Sequence, residues 1–161
     1  ASEEKGSATL EQRLQAAREC VSKGFRVCLH FDHILFYPGW EEGYARIIDM
    51  IFDYLSAESI AYMSLGSFRC MPQLKTFIEN NYPESTYIYA EFISGLDAKL
   101  RLLRPLRVKQ FRFMVQRLQK RGLKKQVYFC MESDEVWQAV LGYTPKDLGG
   151  LDKHLLKQAF K

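Results

Sequence analysis

Apolar and polar residues follow one another in a pattern that predicts an initial helix and then four strand–helix units. In the initial helix, apolar residues recur at helical spacing over residues 10–21, residues 9–12 form a capping-box pattern, and Gly24 is placed to end the helix. Apart from Arg26, residues 25–31 are β-branched, aromatic or otherwise apolar until His30. Such a run predicts a strand that is covered on both faces, as in a parallel sheet.

The same pattern extends through the rest of the chain. Strands are predicted at residues 25–31, 59–64, 86–90 and 126–130, and a helix is predicted after each. Pro72 and Pro105 suit the first turns of the second and third of these helices, and Ser133 suits the N-cap of the fourth. Strands that alternate with helices of this length favour right-handed crossovers and a parallel sheet. The predicted fold class is therefore α/β, with a parallel sheet of four βα units behind an N-terminal helix, either open or forming half of a barrel.

Length and composition add limits to this picture. A chain of 161 residues that is 47% hydrophobic is predicted to form a single domain over residues 1–161, with a polar lead-in at 1–8 and a weakly determined tail at 150–161. An uninterrupted apolar run of about 18 residues is missing, as is a basic-then-apolar signal pattern. We therefore expect a cytoplasmic protein without a membrane partner. Cysteines at 20, 28, 70 and 130 fit no zinc or redox motif, and we expect reduced, mostly buried thiols.

Positive charge is concentrated in one segment. The net charge is +4, but residues 99–125 contain 11 basic residues and no acidic one, so that the rest of the chain holds 12 basic residues against 19 acidic ones. Two interpretations remain open: a solvated helix face without a function, or a surface that binds nucleic acid or phosphate. Surface helices usually mix charges of both signs, and Arg101, Arg104 and Arg107 lie in or beside the loop that precedes a helix, where guanidinium groups are suited to hold phosphates.

Polar side chains stand where each predicted strand ends. His30 and Asp32 follow the first strand, Ser64 ends the second, Glu91 follows the third and Glu132 the fourth. Because the carboxyl ends of parallel strands meet at one rim, we expect a ligand site there. A metal site formed by His30, Asp32, Glu91 and Glu132 is one hypothesis. In the other, His30 and Asp32 hydrogen-bond to each other and to nearby loop backbone.

Several short motifs resemble one family in the order in which they occur. They are Leu29-His-Phe-Asp32 with Tyr37-Pro-Gly-Trp-Glu-Glu-Gly-Tyr44, Ser64-Leu-Gly-Ser-Phe-Arg69 with Met71-Pro72, Tyr89-Ala-Glu-Phe-Ile-Ser-Gly-Leu-Asp97 with Arg104-Pro105, and Cys130-Met-Glu-Ser133 with Glu135-Val-Trp137. Over about residues 9–150 the chain resembles the spore photoproduct lyase family of radical S-adenosylmethionine (AdoMet) enzymes. The resemblance implies a partial (βα)₆ TIM-like barrel, a [4Fe–4S] cluster, AdoMet, and repair of thymine dimers in DNA by a 5′-deoxyadenosyl radical.

The resemblance extends only to the C-terminal half of that barrel. The family's cluster motif, Cys-x₃-Cys-x₂-Cys, is missing from the sequence, so we expect that this chain alone does not bind the cluster. The resemblance assigns His30, Asp32, Ser64 and Glu91 to AdoMet binding. It places the loop over residues 94–107 against the DNA lesion, which assigns Lys99, Arg101, Arg104 and Arg107 to nucleic-acid binding.

Two functions from different classes follow, beside a metal hydrolase that would use His30, Asp32 and Glu132. The first is the C-terminal part of a lyase-like radical enzyme that acts on DNA, inactive without its N-terminal half. The second is a freestanding α/β module that binds nucleic acid or a phosphorylated ligand. Half a barrel leaves sheet edges uncovered, so we also expect the missing N-terminal half or a homodimer mate as a partner.

Overall fold

A computed structural model describes residues 6–160, so most of the predicted lead-in over residues 1–8 lies outside the described residues. In chain order the elements are α1 (Leu10–Ser22), β1 (Val27–Ile34), α2 (Trp40–Tyr54), β2 (Ile60–Ser67), β3 (Arg69–Cys70), α3 (Pro72–Asn81), β4 (Phe92–Ser94), β5 (Leu100–Leu102), α4 (Arg104–Lys120), β6 (Val127–Phe129), α5 (Asp134–Leu141) and α6 (Leu151–Ala159). Short 3₁₀ helices cover Ala57–Ser59, Thr86–Tyr89 and Lys146–Leu148.

The central sheet contains three parallel strands in the order β1-β2-β6. These are the first, second and fourth of the predicted strands, which confirms a mixed α/β fold with parallel strands. The register places His30 opposite Ser64 and Asp32 opposite Gly66, while Ser64 also lies opposite Tyr128. Because β2 has a neighbour on each side, it is buried along nearly its whole length.

One face of this sheet packs against helices. Leu65 and Phe129 are buried there beneath α4, and the ring of Phe111 stacks on Phe129 at 4.4 Å between centroids. Trp137 of α5 contacts the same ring at 5.1 Å. A buried aromatic or aliphatic side chain contributes about 1.5–3 kcal/mol relative to its exposed state, so this layer fixes the positions of the helices on the sheet.

Helix ends follow the predicted signals closely. The Thr9 hydroxyl accepts from Gln12 N while the Gln12 side chain accepts from Thr9 N, which confirms the capping box. Pro72 opens α3, and Pro105 lies in the first turn of α4. Ser133 occupies the N-cap position of α5, although its side chain makes no capping hydrogen bond. These signals act within one turn of backbone, and therefore the sequence is sufficient to locate them.

The predicted third strand, at residues 86–90, is wrong. Residues Thr86–Tyr89 form a 3₁₀ helix anchored by the buried Ile88, and the chain then enters a hairpin in which β4 and β5 pair antiparallel. A four-residue turn closes this hairpin, with Gly95 N donating to Lys99 O at 2.8 Å. Strand β3 joins its other side. Pairing across so short a turn satisfies the backbone locally, and residues 6–160 therefore contain three parallel strands rather than four.

The C-terminal tail forms α6 and lies across the amino-terminal end of the sheet. Arg26, just before β1, donates to Ile60 O at 2.8 Å and to Gln158 O, while the His154 ring contacts Lys125 O through Nε2 at 2.6 Å. The helix therefore bridges the starts of all three parallel strands. Within residues 6–160, every helix is too short or too polar to cross a membrane.

The four cysteines are free, and the expectation that they are mostly buried is half wrong. Cys70 is buried and Cys130 is half-buried, but Cys20 and Cys28 are exposed. Cys20 lies on the solvent side of α1. Cys28 lies on the face of β1 opposite to the helices, in the same row as His30 and Asp32.

Candidate functional site

Three side chains on the sheet face that points away from the helices form a hydrogen-bonded row. Ser64 Oγ donates to Asp32 Oδ2 at 2.7 Å, and His30 Nδ1 lies 2.8 Å from the same Ser64 oxygen. His30 and Asp32 alternate along β1, and the parallel register places Ser64 of β2 opposite His30, from where its hydroxyl reaches both side chains. The prediction that these strand ends converge is therefore confirmed for His30, Asp32 and Ser64.

The hydrogen bonds define the protonation pattern of this row. A serine hydroxyl carries one proton, and Ser64 donates it to the Asp32 carboxylate. The Ser64 oxygen must then accept from His30, so the His30 Nδ1 atom carries a proton. In the neutral ring this leaves Nε2 of the exposed His30 as an acceptor that faces outward.

Asp32 also faces a guanidinium group. Arg69 Nη1 lies 3.8 Å from Asp32 Oδ1, and Arg69 Nη2 lies 3.6 Å from Cys130 Sγ at the end of β6. The Nη1 atom is buried without a hydrogen-bond partner among the described residues. A side chain at Gly66 would overlap the Asp32 carboxylate and lie 3.1 Å from Arg69 Nη1, so glycine is required here to leave room for both groups. The site therefore contains a carboxylate and an unpaired donor side by side.

Two tyrosines extend this face, Tyr62 toward the amino end of β2 and Tyr128 on β6 opposite Ser64. The Tyr62 and Tyr128 rings meet edge to face at 5.7 Å, and the Tyr62 ring meets the His30 ring in the same manner at 6.2 Å. A hydrogen bond with Cys28, followed by burial, raises the pKa of Tyr62 to about 12. Burial raises the pKa of Tyr128, while a hydrogen bond with Ser64 acts against it. Both phenols are therefore neutral at pH 7.

Glu132, which follows β6, does not join the Asp32 row. Its carboxylate pairs with Arg107 of α4, with Nε lying 3.0 Å from Oε1, and both side chains are at least nine-tenths buried. Arg107 Nη1 also donates to Leu102 O, at the end of β5. Burial raises the pKa of the Glu132 carboxyl, and the Arg107 guanidinium opposes this shift. This pair ties the hairpin to the carboxyl end of the parallel sheet.

Glu91 lies outside the site because the strand that was predicted to position it is not formed. It is exposed between the 3₁₀ helix and β4, and its carbonyl oxygen accepts from Leu103 N at 3.2 Å. Residues 6–160 contain no group of three or more His, Cys, Asp or Glu side chains that could hold a metal ion. The metal hypothesis needed His30, Asp32, Glu91 and Glu132 together, and the structure separates the two glutamates from the pair.

The four predicted nucleic-acid-binding residues differ in their exposure and in their ion pairs. Arg101 donates to the Asp97 carboxylate from both terminal nitrogens, and Lys99 Nζ lies 3.9 Å from the same carboxylate. Arg104 is exposed at the start of α4. Arg107, by contrast, is 8% exposed and bonded to Glu132 and Leu102. Its guanidinium is engaged within the fold, so its observed contacts are structural.

Other basic residues of the segment also have partners. Lys109 Nζ lies 3.1 Å from Glu41 Oε1, Arg121 pairs with Asp49, and Arg112 donates to Ala139 O at 2.9 Å. Both acidic partners lie on α2. With the Arg107–Glu132 pair, three of the eleven basic residues in 99–125 therefore pair with carboxylates on other elements of the fold.

The sequence pattern places Arg69 among the polar groups that follow the second strand, but it assigns no site role to Gly66, Tyr62 or Tyr128. The spacing of β2 and β6 held the necessary signal, because Tyr62, Ser64 and Gly66 alternate on one strand face. What was missing was the register between strands, which places Tyr128 opposite Ser64 and Gly66 opposite Asp32.

Solved structures show the same fold over most of the chain. A spore photoproduct lyase complexed with dinucleoside spore photoproduct matches with a TM-score of 0.63 at 18% identity, covering 78% of this chain and 40% of that one. A spore photoproduct lyase variant with bound AdoMet and dinucleoside spore photoproduct matches with a TM-score of 0.60 at 19% identity, covering 77% and 38%. The chain thus spans about 40% of the length of these structures.

Sequence comparisons identify the family. A search of curated protein sequences finds no match. The sequence model described as spore photoproduct lyase matches residues 1–139, which is most of the 161 residues. The match contains the parallel sheet, the hairpin and the Asp32 row. The chain therefore belongs to the spore photoproduct lyase family.

Proposed function

We propose that this chain is the C-terminal part of a radical AdoMet enzyme that repairs thymine-dimer photoproducts in DNA, and that it acts as one domain that is inactive without a cluster-bearing N-terminal half. One observation carries the proposal: within the family fold, Asp32, Ser64 and His30 form a polar row on the sheet, and Arg69 links this row to β6. Proteins with α/β folds bind their ligands at the carboxyl ends of neighbouring strands.

The residues present fit AdoMet. The Asp32 carboxylate would accept from an ammonium or hydroxyl group, and the Arg69 guanidinium, whose Nη1 makes no hydrogen bond, would donate to a carboxylate. His30 and Ser64 hold Asp32 in place and would fix its orientation toward the ligand. AdoMet supplies a 5′-deoxyadenosyl group in the chemistry of the resembled enzymes. Glu91 gains no support as a ligand from its exposed position.

The residues present do not fit a [4Fe–4S] cluster. The four cysteines are spread over α1, β1, β3 and the end of β6, and the described residues contain no metal-binding group. We propose that the complementary half supplies the ligands of the cluster.

DNA is the proposed macromolecular substrate. Lys99 and Arg101 on the hairpin and the exposed Arg104 at the start of α4 supply cations, and Leu96 is fully exposed at the hairpin tip. Arginine and lysine contacts to phosphates provide most of the affinity of a DNA-binding surface. The same cations favour the second candidate, a freestanding module that binds nucleic acid or a phosphorylated ligand.

The first experiment measures AdoMet binding by calorimetry to the whole chain, alone and with the N-terminal half of a family member supplied in trans with its cluster reconstituted. We expect D32N and R69M to weaken binding, while D53N, a change at an exposed position of α2, leaves it unaltered. Reductive cleavage of AdoMet by the mixture supports the proposal. A properly reconstituted mixture that neither binds nor cleaves AdoMet overturns it.

Filter binding of oligonucleotides across a salt series separates the two candidates. Salt-dependent retention by the isolated chain, without AdoMet binding, favours the freestanding module. On duplex DNA the logarithm of the affinity should fall with a slope of about −0.9 for each phosphate contacted. Retention that does not change with salt removes the module from consideration.

A further inference from the structure

The two cations on the β4–β5 hairpin share one carboxylate. Arg101 contacts both carboxylate oxygens of Asp97, and Lys99 Nζ lies 3.9 Å from Oδ2. The Arg101 side chain is 14% exposed, whereas the Asp97 side chain is 39% exposed. A carboxylate therefore already occupies, from the solvent side, the fork-shaped donor surface with which arginine binds phosphate.

The hairpin is shaped around this pair. A side chain at Gly95 would overlap Arg101 Nη1 and lie 3.0 Å from Asp97 Oδ1, so that only glycine leaves the pair its room. This requirement comes from close approach, because Gly95 is not among the glycines with a positive φ. The Asp97 side chain also accepts from Lys99 N at 3.3 Å, which holds the carboxylate over the turn. The pair is thus built into the hairpin backbone.

We propose that Asp97 is a specificity-determining residue of the nucleic-acid surface, because its carboxylate occupies the anion position between Arg101 and Lys99 and must be displaced before a phosphate binds there. The proposal rests on the proposed function, which assigns this hairpin to DNA. A phosphate that contacts Arg101 alone exchanges one exposed ion pair for another and gains little. Only a ligand that makes further contacts, with Arg104 or with the site on the parallel sheet, would displace Asp97 with a net gain.

Asp97 thereby disfavours non-specific binding. Undamaged duplex DNA offers phosphates at every step, and an unpaired arginine and lysine on a protruding hairpin would bind them without selection. The Asp97 carboxylate between these cations has the same sign of charge as a phosphate. It therefore weakens the binding of unwanted partners more than that of a partner that makes several contacts.

The test compares wild-type chain, D97N and D53N in binding to a fixed-length undamaged duplex over a salt series. D53N makes the same change in net charge at an exposed position of α2 and controls for general electrostatics. We expect D97N to bind about 2- to 5-fold more tightly at low salt than D53N. Its salt slope should be steeper by about 0.9 for each phosphate that Arg101 or Lys99 newly contacts. Equal affinities and slopes for the two variants overturn the proposal.

A double-variant cycle assigns the gain to Arg101. R101Q should reduce the gain in the D97N background and change little in the wild-type background, since Arg101 is already paired there. A gain that persists undiminished in D97N/R101Q overturns the proposal. Amide exchange of Ile93 and Leu102 checks that the hairpin is intact, and D97S supplies a second neutral acceptor for Lys99 N. If neither variant forms the hairpin, Asp97 is a folding residue and the proposal fails.

Failure of the proposed function gives a different result. If the wild-type chain does not bind DNA but D97N does, Asp97 blocks a latent anion site and only the assignment to DNA repair is weakened. If wild type binds and D97N is indistinguishable from D53N, DNA binding stands and the role of Asp97 is overturned. If none of the variants binds at any salt concentration, both proposals fail.

Discussion

Arg107 and Glu132 form a buried ion pair that connects three parts of the fold. The Arg107 Nε atom lies 3.0 Å from Glu132 Oε1, and the same guanidinium donates to Leu102 O. Arg107 belongs to α4, Glu132 to the loop after β6, and Leu102 to the end of the hairpin. The hairpin is therefore fixed to the end of the parallel sheet at which Asp32 lies.

Breaking this pair should be costly. R107M removes the ion-pair partner of the buried Glu132, and we expect the free energy of unfolding to fall by about 3–5 kcal/mol. Urea denaturation gives the value. K109M is the matched control on the same helix, because the Lys109–Glu41 pair is exposed and should be worth less than about 1 kcal/mol. The interpretation is wrong if both variants lose the same small amount. The double change R107M/E132L should recover much of the loss, since it removes both buried charges.

Replacing Gly66 by alanine should disrupt the polar row. The added Cβ would lie 2.9 Å from Asp32 Cγ, so the carboxylate must rotate away and give up its hydrogen bond from Ser64. We expect a loss of about 1–3 kcal/mol in thermal or urea unfolding, together with weaker AdoMet binding. G43A is the comparison, because its Cβ meets the far end of the flexible Tyr37 side chain. Equal stability and binding in both variants would contradict the assigned geometry.

Tyr62 should titrate far above the exposed tyrosines. Its pKa is raised from 10.0 to about 12, chiefly by the hydrogen bond with Cys28, so the fold favours the neutral phenol. This contribution to stability is complete below pH 10 and is lost as the pH rises through about 12. Phenolate absorbance should show the late transition, and Y62F should remove it.

Cysteine variants test the cause of the Tyr62 shift. C28A removes the largest contribution and should move the late transition toward pH 10. C20A, at an exposed position of α1, should leave it in place. A late transition that C28A does not move would assign the shift to burial instead.

Arg26 should hold α6 on the sheet. It donates to Glu58 O at 3.1 Å, to Ile60 O at 2.8 Å and to Gln158 O, and R26M would leave these carbonyl groups without that donor. We expect a loss of about 1–3 kcal/mol and faster amide exchange in α6. K23M, at an exposed neighbouring position, serves as the control. Unchanged exchange in R26M would show that apolar contacts alone hold α6.

The features that were predicted correctly from the sequence depend mostly on residues that are close together along the chain. The capping box at Thr9 and the prolines that open α3 and α4 depend on neighbours within a few positions, and local apolar runs mark the strands β1, β2 and β6. The meeting of Asp32 with Ser64 was also predictable, because parallel strands that end at one rim bring their last polar groups together. Family membership followed from motifs within these same elements.

Only the tertiary structure determined which charged residues form ion pairs and whether residues 86–90 form a strand. Residues 86–90 have strand-like composition, but a strand needs a neighbouring strand to pair with. The turn at 95–98 instead lets residues 92–94 pair with residues 100–102. Glu91 lost its predicted place for that reason. Arg107 and Glu132 are 25 positions apart, and Lys109 and Glu41 are 68 apart, so their pairing depends on how α4 packs and not on local sequence. Propensity acts along the chain, whereas ion pairs and strand neighbours are fixed only when the chain has folded.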